Sequence, residues 1–208
     1  MLNTIHTGMP EWAKGRAIRL LKNAVADQAR LWGPAEGRNV EAFFRGLEQA
    51  VRDRNWHAAL VMALTLPDIC AKIVSPTERS GARYATWFDE YVKPKYTRPT
   101  GPSGEEHVFL SGGDCYALRC ALLHEGSTDI TPHKARQALE RFHFCKPGQF
   151  NIRVHCNQFD TALILMVDDF AADILAAARL WWASLGRAER EATETQLLVI
   201  RDTDNLSL

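Results

Sequence analysis

An arginine and a histidine stand five positions apart in the stretch DCYALRCALLHEGS, residues 114–127. Tyr116, Leu118, Ala121, Leu122 and Leu123 give this stretch the surface of a core helix, yet Arg119 and His124 interrupt it. The chemistry of the two side chains is complementary. A guanidinium is permanently charged and offers a planar fork of donors to phosphate oxygens. An imidazole titrates near neutrality and can accept or release a proton during a reaction. The pair therefore suits proton transfer beside a bound phosphate. On a regular helix, positions i and i+5 lie about 140° apart. To meet, the long arginine must swing across, or the helix must distort near Gly126.

The positions around the pair supply candidate supports. Ser111 or Asp114 can cap the start of the helix, and Gly126 can stop it. Asp68, in LPDICAKI, follows Pro67 in a very apolar segment, where a carboxylate needs a partner. Arg119 is one candidate, and Lys72, one turn further on, is the other. Tyr116 precedes Arg119 by three residues and either lines the same cleft or packs in the core. Cys120 follows Arg119, and a thiol orients a phosphate only weakly.

Further elements can be read from periodicity. Helices are predicted from Pro10 to Leu31, from about Asn39 through Val51, over Asn55–Val74 with a kink at Pro67, and over Ser80–Tyr91. The run KPKYTRPTGPSGEEH predicts a loop at 94–107, within one bundle rather than between domains. A short helix is expected over Thr131–Leu139, a long one from about Phe159 to Leu185, and a short strand over Leu197–Ile200.

RFHFCKPGQFNIRV changes period from 3.6 to 2, which predicts a β-hairpin at about 140–155 around Lys146-Pro147-Gly148. This register pairs Phe144 with Phe150, Phe142 with Ile152 and Glu140 with Val154. Its other face then sets Arg141 opposite Arg153, flanked by His143 and His155. Two arginines facing each other are unfavourable without an anion, so a phosphate backbone is a candidate occupant, against a plain solvated face.

The expected class is mostly α, a single domain over 1–208 with five or six helices and that small inserted hairpin. Of 208 residues, 46% are hydrophobic, enough for a core, and 25 basic side chains balance 25 acidic ones. A net charge of zero gives no bulk-charge argument for nucleic-acid binding. Five cysteines with no CxxC spacing predict reduced thiols. No secretory signal is visible, and Asp168, Asp169 and Asp173 interrupt the most apolar late run, so a cytoplasmic, non-membrane protein is expected. Asp168 and Asp169 make a poor metal pair, and no metal or cofactor is expected. GxxxxGK[ST], HExxH and GxSxG are absent.

The Arg119-Cys-Ala-Leu-Leu-His124 spacing, on a late helix with one long helix after it, resembles the Arg-x4–6-His motif of the HEPN superfamily. These are helical-bundle proteins that include RNA-cutting toxins and defence nucleases. The resemblance covers about 110 residues of bundle, through two fixed positions. It implies an up-and-down helical bundle that forms a homodimer with two motifs across one cleft. It also implies a metal-independent endoribonuclease, in a toxin or phage-defence system with an antitoxin or defence-system partner. In that chemistry Arg119 binds phosphate and His124 moves protons. The 2′-hydroxyl of RNA attacks, leaving a 2′,3′-cyclic phosphate and a 5′-hydroxyl. Active members often carry a polar residue after the arginine, where this chain has Cys120. The alternative is a non-catalytic module that binds nucleotide, RNA or a protein partner. Arg119 buried against Asp68, away from any cleft, would favour that alternative.

Overall fold

The computed structural model describes residues 40–150, 152–198 and 200. Phe43–Arg190 form one compact unit, from which the described residues on either side group apart. The helix expected over Pro10–Leu31 lies outside the described residues.

Among the described residues there are six α-helices: α1 (Val40–Arg52), α2 (Trp56–Val74), α3 (Ser80–Tyr91), α4 (Gly112–Glu125), α5 (Val167–Ser184) and α6 (Arg187–Glu194). The fold is α-rich, as composition and periodicity require. α2 packs on α3, α4 and α5, and α3 packs on α4 and α5. Their shared core includes Leu64 of α2, Tyr84 and Phe88 of α3, Leu118 of α4, and Phe170 and Trp181 of α5, all essentially buried. Each such side chain contributes roughly 1.5–3 kcal/mol of transfer free energy.

Asn55 caps α2, its side chain accepting from the Ala58 N–H at 3.2 Å. The helix runs on through Pro67 to Val74. By length and composition α2 is apolar enough to cross a membrane, but 44% of its apolar window is buried inside this fold.

The β structure departs from the sequence reading. The hairpin is not at 140–155. It overlaps the segment expected to be a loop, 94–107, where a 3-10 turn (Lys93–Tyr96) leads into β1 (Thr97–Thr100) and β2 (Glu105–Val108). The expected partners of Phe142 and Phe144 are also wrong. β3 (Arg141–Cys145) pairs in parallel with β5 (Ala162–Met166), setting Phe142 beside Leu163 and Phe144 beside Leu165. β4 (Asn157–Phe159) covers the other edge of β5, antiparallel. Phe150 and Ile152 are left 86% and 69% exposed. The apolar alternation of β3 is satisfied by a strand about twenty residues away, which is itself almost wholly apolar and partly buried on both faces.

β5 also takes the first residues of the helix expected from Phe159, so α5 starts at Val167. No helix forms over Thr131–Leu139. That segment is a chain of turns, with His133 N–H on the Ile130 carbonyl and Arg136 N–H on that of His133. Leu197 and Leu198 are in no strand, and Val199 lies outside the described residues.

Candidate functional site

α4 carries the Arg119–His124 pair and is fixed at both ends. Ser111 is its N-cap, the hydroxyl oxygen accepting from Asp114 N–H at 3.1 Å. A second N-terminal amide, that of Gly112, donates to Asp89 of α3 at 2.8 Å. Gly112 has to be glycine, because a Cβ there would meet the Ala85 carbonyl oxygen at 2.4 Å. At the other end Gly126 adopts φ 66°, the left-handed conformation, and its N–H returns to the carbonyls of the last turn.

Between these caps the helix is regular, and the arginine does the swinging. Arg119 Nη1 lies 3.3 Å from His124 Nε2. A guanidinium only donates, so Nε2 is the acceptor and carries no proton in this arrangement. Arg119 Nη2 donates to Asp68 Oδ2 at 3.0 Å. The Arg119 side chain keeps 20% of its surface exposed, while His124 is exposed. The pair is thus held from below by a half-buried carboxylate and open to solvent above. Lys72, the other candidate partner for Asp68, instead donates to the Pro76 carbonyl at 2.6 Å.

The structure adds a residue that sequence reasoning missed. Arg83 of α3 donates from Nη2 to the other oxygen of Asp68, Oδ1, at 3.3 Å, and from Nη1 to the Glu78 carbonyl at 3.0 Å. One carboxylate is therefore shared by two guanidinium groups from two helices. The available signal was only that a half-buried carboxylate has two oxygens to satisfy.

Tyr116 and Cys120 do not join this cluster by hydrogen bonds. Tyr116 bonds Ser80 through its hydroxyl at 2.9 Å and packs its ring 5.4 Å from Tyr84, so it serves the α3–α4 contact. Cys120 is half-buried beside Arg119. All five cysteines are free. Burial pushes the thiols of Cys70 and Cys115 up, the latter to about 12.

The expected phosphate face of Arg141, His143, Arg153 and His155 does not assemble. Arg141 is exposed on β3 and faces Asp129 at 3.6 Å. His143 is exposed on the same strand. Arg153 reaches α5, where Asp168 meets it at 2.8 Å and Asp169 takes its other nitrogen. Arg141 and Arg153 are not cross-strand neighbours, because their segments do not pair with each other.

His155 is turned inward. The Met166 N–H donates to its Nδ1 at 3.2 Å, which leaves the proton on Nε2. Nε2 faces Asp173 Oδ2 at 3.6 Å and the Tyr96 hydroxyl at 3.4 Å. Tyr96 donates to Asp173 at 3.1 Å, and Lys95 pairs with it as well. Burial alone would raise the Asp173 carboxyl, but the bonds from His155, Lys95 and Tyr96 outweigh it and hold the group below the usual carboxylate range. Together with the Arg153 pairs, these contacts tie residues 153–155 to α5.

A depressed carboxyl stabilises the fold above its unfolded value, near pH 4, and loses that contribution as pH falls through the folded value. Asp173→Asn should therefore lower stability at pH 7 by about 1–2 kcal/mol, with the gap to wild type closing in acid. Urea unfolding at pH 7 and pH 3.5 checks this, and a gap independent of pH would contradict it.

Among the described residues no group of three or more His, Cys, Asp or Glu side chains is placed to hold a metal ion. A groove between α1 and α5, lined by residues such as Leu47, Val51, Ala171 and Leu175, shares no residue with the Arg119 cluster. No protein-family model, curated protein or solved structure matches the chain.

Proposed function

We propose that the chain is a HEPN-type endoribonuclease that cleaves RNA by proton transfer, without needing a metal, in a toxin or phage-defence setting. The observation that supports this most directly is the contact between Arg119 Nη1 and His124 Nε2, 3.3 Å apart at the solvent-facing end of α4. An unprotonated imidazole nitrogen beside a guanidinium has the polarity this chemistry needs. His124 accepts the proton of the ribose 2′-hydroxyl, and the oxygen attacks the adjacent phosphorus. Arg119 turns its fork to the non-bridging oxygens, where charge accumulates. The phosphorus–5′-oxygen bond breaks, and the 5′-oxygen leaves with the proton that His124 took up, so the imidazole ends as it began. The products are a 2′,3′-cyclic phosphate and a 5′-hydroxyl.

Incubating the purified protein with RNA in excess EDTA, and identifying the product ends, tests the reading. Cyclic phosphate ends, and resistance of a strand with 2′-deoxyribose at the cut position, are expected. Products with 5′-phosphate ends would overturn it.

A second reading has its own observation. Arg119 is engaged by Asp68 at 3.0 Å, and the groove described above lies elsewhere. That arrangement favours a non-catalytic module binding nucleotide, RNA or a protein partner. RNA binding without cleavage under the same conditions would support it.

A further inference from the structure

Asp68 sits between Arg83 and Arg119, with one oxygen given to each. Two guanidinium groups and one carboxylate leave an uncompensated positive charge in a partly covered site, since the side chains of Arg83, Asp68 and Arg119 keep only 15%, 17% and 20% of their surface exposed. Neither arginine has a second carboxylate partner among the described residues. The two are not equivalent. Arg83 is anchored at its other nitrogen by the Glu78 carbonyl, at 3.0 Å. The other terminal nitrogen of Arg119, Nη1, bonds among the described residues only the exposed His124 imidazole. Arg83 is thus the fixed partner of Asp68, and Arg119 is the partner able to leave.

Leaving has a price set by Asp68. A half-buried carboxylate stripped of its only cation would be strongly disfavoured, and would hold that cation back. With Arg83 in place, Asp68 stays neutralised when Arg119 turns to an incoming anion. We propose that Arg83 is a positioning residue that releases Arg119 from Asp68 for the RNA phosphate. It touches no reacting atom in this role. The inference rests on the reading of Arg119 as the phosphate ligand, and it deepens that reading.

The test uses Arg83→Met, Arg83→Lys, Asp68→Asn and the double variant Asp68→Asn/Arg83→Met. Each is measured for binding to a fluorescent RNA with 2′-O-methyl groups throughout, which can bind but not be cut, and separately for cleavage of ordinary RNA. Thermal melting confirms that each variant is folded. Arg83→Met should weaken binding about tenfold, a coupling typical of charges in one network, because Asp68 then holds Arg119 alone. Arg83→Lys should recover part of the loss. Adding Asp68→Asn to Arg83→Met should restore binding towards wild type, because the trap is gone.

If the double variant binds no better than Arg83→Met, Arg83 either contacts the RNA itself or only supports the fold, and the proposal is overturned. It is equally overturned if wild type does not bind the modified RNA. The restoring pattern without any cleavage of ordinary RNA would sink the nuclease reading and leave this inference standing. Cleavage by wild type without the restoring pattern would do the reverse.

Discussion

His124→Ala is expected to reduce RNA cleavage by about 10²–10⁴-fold, the usual contribution of a positioned acid–base group, while leaving the fold in place. The two halves of that expectation have separate grounds. His124 is exposed in the last turn of α4, and its contact within the cluster is the one from Arg119. Removing an exposed side chain of this kind changes stability by no more than about 0.5 kcal/mol. Arg119 keeps its bond to Asp68, so the proposed phosphate ligand stays held against α2. What disappears is the imidazole that Arg119 reaches, and with it, on the nuclease reading, the group proposed to take the 2′-hydroxyl proton. Binding of an uncleavable RNA should change far less than the rate of cleavage, because on this reading Arg119, not His124, holds the phosphate. Single-turnover cleavage, urea unfolding and RNA binding on one preparation separate these terms. Cleavage unchanged by the substitution would remove His124 from the chemistry and the HEPN-type reading with it.

The parts of the site that depend on local chemistry were readable from the sequence. Ser111 and Gly126 mark the ends of α4 by their own conformational preferences, and the structure uses both. The need of Asp68 for a partner followed from its apolar surroundings, and one of two candidates proved right. What could not be read was non-local. Arg83 lies on a neighbouring helix, and no spacing rule connects it to residue 68. The alternation in RFHFC correctly announced a strand, and Phe142 and Phe144 do stack, with ring centroids 6.3 Å apart. Its partner was misassigned because hairpin pairing is the nearest solution, and the chain uses a parallel one. Ala162–Met166 was absorbed into a helix because a short apolar run has no period of its own. Its true boundary is the two-residue connection Asp160-Thr161, where Asp160 takes φ 50° and the chain reverses from β4 into β5.

Asp114→Ala is expected to destabilise the protein by about 3–5 kcal/mol, the range for stranding buried partners of a charged group. Asp114 is only 1% exposed. Its Oδ1 accepts the backbone N–H groups of Gln137, Ala138 and Leu139 at 2.6, 3.2 and 3.3 Å. Its Oδ2 accepts the Ser111 hydroxyl at 2.8 Å. This draws the end of 131–139 out of the expected helix: the amides of residues 137–139 are gathered around a carboxylate on α4, while His133 and Arg136 bond only in local turns. The same carboxylate lies in the first turn of α4, where a negative charge is favoured by the helix dipole. Alanine would take the acceptor away from three amides and a hydroxyl, around a side chain that is itself buried. Asn keeps one acceptor oxygen, and its amide can donate to Ser111 Oγ, so Asp114→Asn should lose roughly 1–2 kcal/mol, the worth of the bonds weakened. Urea unfolding of both variants measures the two values. An alanine variant within 1 kcal/mol of wild type, by the same rule, would mean that water reaches those amides and that the 131–139 segment does not depend on α4. If the ordering holds, the helix that presents Arg119 and His124 owes its position to a carboxylate one turn and more before them, and damage at Asp114 should weaken RNA cleavage only to the extent that it unfolds the chain.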